Sequence, residues 1–186
     1  MTILINNAGI VNGKEFLTLD DEQIIKLMQI NTMAHFWTLK SFLPQMIAKN
    51  HGHIVTISSA CGCCGLPKLT DYCTSKFAVV GLEESLRFEL QAKNCHGVHS
   101  TVVCPAFINT GLFDGYKSLI PPLETDHVAD GIISGISTNQ TIVVLPKSLY
   151  FMFALKSFLP VKCSTLIIDA LGGMKSMEEF RGKKHE

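Results

Sequence analysis

Tyr72 and Lys76 stand four residues apart in the run Tyr-Cys-Thr-Ser-Lys. On a helix that spacing puts a phenol and an ammonium on one face. A phenol is a poor base at neutral pH, with a reference pKa near ~10, but a neighbouring cation favours the phenolate. Such a pair can take a proton from an alcohol or give one to a carbonyl. The pair by itself is a weak signal, because chance also produces it; its surroundings strengthen it. Ser59 follows the apolar run His53-Ile54-Val55-Thr56-Ile57-Ser58, and parallel sheets bind ligands at the carboxyl ends of their strands. A hydroxyl there can donate to a substrate oxygen and hold it beside the phenol. Asn31 lies inside a helical stretch, where an amide is not a favoured filler. It reads either as a hydrogen-bonded core amide or as a functional group.

The elements that must position these groups follow from periodicity. Thr2 to Ile5, closed by Asn6-Asn7-Ala8-Gly9, reads as a buried strand meeting a turn. Asp20-Asp21-Glu22 supplies acidic residues at a helix start, and apolar positions then recur at helical spacing from Ile24 to about Ala48. A second strand covers His53 to Ser58, and a loop rich in Gly and Cys leads to a helix from about Asp71 to Ala92. Val98 to Cys104 forms a third strand ended by Pro105. A loop with a short helix is expected from Ala106 to about Leu123, then a helix over Thr125 to Thr138 and a fourth strand over Thr141 to Leu145. Strands alternating with long helices imply an α/β fold, a doubly wound parallel sheet joined by right-handed crossovers. The expected organisation is a partial dinucleotide-binding domain over residues 1–148 and an apolar extension over 149–186.

Composition removes other function classes. With 47% hydrophobic and 17% charged residues the 186-residue chain is not disordered. Sixteen basic and sixteen acidic side chains cancel, leaving no electrostatic case for nucleic acid. Seven cysteines is an odd number with no leader-like segment before them, which argues against a secreted disulfide framework. Cys61, Cys63 and Cys64 have no second Cys/His pair at ligand spacing, so no metal is expected.

Taken in order, Asn6-Asn7-Ala8-Gly9, Asn31, Ile57-Ser58-Ser59, Tyr72-x-x-x-Lys76 and Pro105-x-x-x-x-Thr110 resemble the motif series of the short-chain dehydrogenase/reductase superfamily. The resemblance implies NAD or NADP as cofactor. It makes Tyr72 the proton donor or acceptor, and has Lys76 lower its pKa and hydrogen-bond the nicotinamide ribose. Ser59 would orient the substrate oxygen and Asn31 would hold a water in a proton relay. Asn7, Ala8 and Gly9 would pack beside the cofactor, Pro105 would open the loop around the nicotinamide, and Thr110 would reach the nicotinamide amide. Ala106 departs from the family, which has glycine after the proline, so contacts in that loop follow less directly. The resemblance also implies that the usual glycine-rich front end, with the first strands of the sheet, is missing, which would leave Thr2 to Ile5 as an open apolar edge.

Phe113 to Pro122 followed by Val143-Val144-Leu145-Pro146-Lys147-Ser148-Leu149-Tyr150 resembles the membrane-associated retinol dehydrogenases and their 17-beta-hydroxysteroid dehydrogenase relatives, and Leu155-Lys156-Ser157-Phe158-Leu159-Pro160 is similar to the epidermal retinol dehydrogenase subgroup. The resemblance implies a lipophilic alcohol as substrate and the endoplasmic reticulum or lipid-droplet surface as location. Phe107, Leu112, Phe113, Tyr116, Leu119 and Ile120 suit an apolar substrate loop. From Leu145 to Leu171 lysines and prolines interrupt the apolar residues, so no membrane span is expected; peripheral membrane contact and packing on the domain are the two readings. Relatives dimerise through the two long helices, so a homo- or hetero-dimer is expected here. The alternatives to an enzyme are an inactive truncated product and an interaction subunit.

Overall fold

The computed structural model describes residues 2–182. Four short β-branched runs form strands β1 (Ile3–Asn6), β2 (Gly52–Ile57), β3 (Val98–Pro105) and β4 (Ile142–Leu145). All pair in parallel, in the order β1-β2-β3-β4. β2 and β3 are buried almost throughout, as expected of central parallel strands. β1 lies at one edge, and its Ile3 and Ile5 are half exposed.

Helix α1 (Asp21–Met28) runs through a π-helical turn at Gln29–Met33 into α2 (Ala34–Lys49), so the single helix read from the sequence carries a widened turn around Asn31. Helix α3 (Thr70–Ala92) follows β2, and α4 (Thr125–Ser137) follows β3. The segment after β4 folds into α5 (Ser148–Phe158) and α6 (Val161–Ala170).

Two faces of the sheet carry separate cores. Leu4 and Ile54 pack on Leu39 and Met46 of α2 and Leu90 of α3. Val55, Val103 and Val143 pack on Val128, Ile132 and Ile136 of α4, from the opposite face. The strand order progresses in one direction throughout, so the β3–α4–β4 connection has the opposite hand to the first two. Handedness preference comes from a twisted strand feeding directly into its helix. The long excursion between Pro105 and Thr125 relaxes that coupling.

That excursion also corrects one expectation: residues 106–124 contain no helix. Gly111 and Gly115 adopt φ of +77° and +82°, which interrupt helical backbone, and Pro121 and Pro122 lack the donors a helix needs. The loop is closed instead by a parallel bridge between Ile108 and Leu123.

Candidate active site

Tyr72 and Lys76 lie in the first two turns of α3, whose start abuts the carboxyl end of β2. Both are buried. Lys76 Nζ donates to the Ile57 carbonyl at 2.9 Å and stands 5.7 Å from the centre of the Tyr72 ring. The Ser58 hydroxyl donates to the Lys76 carbonyl at 3.0 Å, pinning helix to strand end. Ser59, one residue further, accepts from the Cys61 amide at 3.1 Å and faces the Tyr72 phenol, favouring its ionised form. Phenol, ammonium and hydroxyl therefore meet where the topology predicts a ligand.

Asn31 is fully buried in the π-turn. Its oxygen accepts from the Ile10 amide at 2.8 Å, while its nitrogen donates to the Ile10 carbonyl at 2.9 Å and to Ser75 Oγ at 3.0 Å. The carboxamide thus ties the loop after β1 to α2 and α3. Ser75 in turn donates to the Tyr72 carbonyl at 2.7 Å. Single π-turns concentrate at functional sites, and here the turn carries a side chain between two rims of the cleft. Ser75 has no sequence signal of its own, although it sits inside the Tyr72–Lys76 motif.

The remaining residues expected at the site are placed unevenly. A methyl built on Gly9 would lie 3.5 Å from Asn31 Oδ1 and 3.6 Å from Lys76 Nζ, so Gly9 adjoins both side chains. Asn7 and Ala8 are exposed at the carboxyl end of β1. Pro105 is buried at the end of β3, its carbonyl 3.5 Å from Ser59 Oγ. Thr110 is exposed in the following loop, where its hydroxyl accepts from the Leu112 amide, and no hydrogen bond among the described residues joins it to the others.

Burial governs the electrostatics. Desolvation pushes the Tyr72 phenol well above its ordinary pKa, and the Cys61 thiol adds to the rise. The Ser59 hydroxyl opposes that rise, and burial is the larger effect. Desolvation also lowers Lys76 to about 8. His35, buried one turn beyond Asn31, is lowered to about 4 by burial and then by Lys76, and its Nδ1 has no partner.

The Lys76 shift has a stability consequence. Between pH 8 and 10.5 the unfolded chain holds the Lys76 proton more tightly than the folded one, so stability from this group rises with pH across that window. Below pH 8 the cost of burying the charge is present in full, up to about 3 kcal/mol. Lys76→Met is therefore expected to flatten the climb in urea-unfolding free energy between pH 8 and 10; an unchanged climb would assign it to another group.

Beside the triad lies a small apolar cavity of about 60 Å³ lined by Cys61, Phe107, Tyr116, Leu149, Met152 and Leu171, among others. Ile120 also reaches it, whereas Leu119, expected in the same loop, is exposed. Phe113 packs edge-on against Tyr72 with ring centres 5.4 Å apart. Met177 and Phe180 join the cluster around Tyr72 from the far end of the chain. Nothing in the sequence marked them, because neither lies in a periodic segment. All seven thiols are free, and among the described residues no group of three or more His, Cys, Asp or Glu side chains is arranged for a metal.

The family description "short chain dehydrogenase" matches residues 1–118. This chain belongs to the short-chain dehydrogenase family. Epidermal retinol dehydrogenase 2 of Homo sapiens is 47% identical over 99% of this chain and 61% of its own length. 17-beta-hydroxysteroid dehydrogenase 13 of Homo sapiens is 42% identical over 90% of this chain and 56% of its own length. The chain thus spans about 60% of the curated relatives it matches. Among solved structures, a short-chain dehydrogenase from Burkholderia cenocepacia in complex with NADP matches with a TM-score of 0.77 at 22% identity, over 92% of this chain and 70% of that one. A short-chain dehydrogenase from Sphingobium yanoikuyae in complex with NADPH matches with a TM-score of 0.71 at 24% identity, over 100% and 68%. These family structures share the doubly wound fold described above.

Proposed function

We propose that this chain is the catalytic part of an NAD(P)-dependent oxidoreductase acting on a lipophilic alcohol of retinol or steroid type. The observation that carries the reading is the meeting of Tyr72, Lys76 and Ser59 at the carboxyl end of the sheet, beside an apolar cavity. Lys76 spends one N–H on Ile57 and keeps others beside Gly9, a donor set suited to ribose hydroxyls. Asn7, Ala8 and Pro105 would flank the nicotinamide, and Thr110 would reach its amide if the loop after β3 closes. The bound cofactor would supply the hydride acceptor or donor. Ser59 would hold the substrate oxygen, and Tyr72 would take or give its proton, the phenol becoming more acidic as polar groups replace the lost water. Asn31 would serve the proton path by holding the π-turn and the loop after β1 in register.

Binding of NADH or NADPH to the 186-residue chain tests the reading through energy transfer from Trp37, the single tryptophan. Saturable transfer is the expected result. A folded chain that binds neither would favour the inactive or interaction-subunit alternative, in which the site residues serve no chemistry here.

The same reading extends to partners. A groove between α2 and α3, with Leu39, Leu43, Ile47, Leu82 and Leu86 in its walls, is the face through which a second copy or an intact relative would pack. Among the described residues no helix is long and apolar enough to cross a membrane. Phe151, Phe158, Val161 and Leu166 of α5 and α6 are exposed, with Lys156 and Lys162 among them, a pattern that suits the surface of endoplasmic reticulum or lipid droplets. Co-flotation with phosphatidylcholine vesicles containing anionic lipid is expected; protein left wholly in the soluble fraction would refute the membrane contact.

A further inference from the structure

The segment after α6 bridges the two rims of the cleft. On one rim, the Lys117 amide donates to the Ser176 carbonyl at 3.0 Å, the Arg181 amide donates to the Asp114 carbonyl at 2.9 Å, and Lys117 pairs with Glu179. Gly115, at φ +82°, lets Glu179 close on it: a methyl there would lie 2.0 Å from the Glu179 carbonyl oxygen. On the other rim, the Phe180 ring occupies the space a side chain on Gly13 would need, 2.1 Å from the position of its Cβ. Between the rims, Met177 is buried against the Tyr72 cluster, and Phe180 meets Phe113 with ring centres 6.1 Å apart, itself in contact with Tyr72. The bridge closes over Tyr72, which is only 5% exposed.

We infer that residues 172–181 form a strap that gates the catalytic cavity, with Phe180 the residue that decides what reaches Tyr72. The inference rests on the lipophilic-alcohol reading for the identity of what is admitted, but not for the gate itself. The strap is held by two backbone hydrogen bonds, one exposed ion pair, the buried Met177 side chain and one aromatic plug, rather than by regular pairing. Such attachment lies at the low-stability end of a fold, from which lids are drawn. An apolar molecule displacing Phe180 would meet Phe113, Phe107 and Tyr116 on its way to the cavity, so the plug and the path share one chemistry.

Two readouts test this on the full chain. Cys61 and Cys73 are buried in the same cluster as Met177, so their alkylation by N-ethylmaleimide, mapped by peptide mass spectrometry, reports opening. Phe180→Ala is expected to accelerate it about tenfold and to raise the stopped-flow association rate of all-trans-retinol by a similar factor, within the range by which binding-site variants shift on-rates. Met152→Ala, in the deep wall, is expected to alter retinol dissociation and leave association unchanged. Should Phe180→Ala fail to fold, Glu179→Gln loosens the exposed clasp alone and is expected to move both rates in the same direction. Unchanged alkylation and association in a folded variant would overturn the gate. Faster alkylation with no retinol binding to either protein would uphold the gate and overturn the lipophilic-alcohol reading instead.

Discussion

Tyr72→Phe is expected to lower turnover of all-trans-retinol with NAD or NADP by roughly 10²–10⁴-fold, the usual contribution of a positioned proton donor or acceptor. The substitution removes one oxygen and leaves the ring in place. The apolar contacts with Phe113, Leu69 and Cys73 persist, and the phenol makes no hydrogen bond on which the backbone depends. Thermal or urea unfolding should therefore stay within about 0.5 kcal/mol of the parent, the range for changes that disturb no buried network. The combination discriminates: lost turnover with an intact fold assigns proton transfer to Tyr72, whereas a parental rate would remove that role. The raised pKa of the buried phenol bears on direction. Burial raises the phenol's pKa and favours its protonated form, which would suit a donor toward a carbonyl, while polar groups re-solvating the site would favour the base.

The second large effect is structural. Asn31→Ala is expected to destabilise the fold by roughly 1–3 kcal/mol, because it removes the partner of the partly buried Ile10 amide and carbonyl and of Ser75, and an unmet buried group costs about 1–3 kcal/mol. Both groups now pair with one carboxamide, which Ser75 also accepts from. Asn31→Asp separates geometry from donor chemistry: it keeps the acceptor for the Ile10 amide but removes both donated bonds, so a loss as large as that of Ala is expected. Urea unfolding of the two variants measures this. A loss below about 0.5 kcal/mol for Asn31→Ala would mean that water replaces the amide without cost and that the bridge between Ile10 and α3 is incidental.

Much of this was legible along the chain. Strands and long helices are written as local periodicity, and the four strands and the helices over 70–92 and 125–137 fall within one or two residues of the periodic runs. The pairing of Tyr72 with Lys76 is legible because both lie on one helix, where a spacing of four fixes a shared face. The place of Ser59 just past a strand end is legible because a strand end is a local signal. Charge cancellation and cysteine number are properties of the sequence alone and needed no coordinates.

Tertiary structure decided the rest, wherever the outcome depended on groups distant in the chain. The partners of Asn31, Ile10 and Ser75, lie 21 and 44 residues away in the chain and meet it only on folding. The hand of the third crossover depended on which sheet face α4 could cover. Burial of the Tyr72 phenol, among Phe113, Met177 and Phe180, raises its pKa, and water exclusion is set by segments that touch only after folding. The strap itself is invisible to periodicity, since Met177 and Phe180 act through what they cover. Residue type and spacing thus determine which chemistry this chain can carry, and the packing of its far end over α3 determines when that chemistry is reachable, because desolvation is a property of the assembled fold.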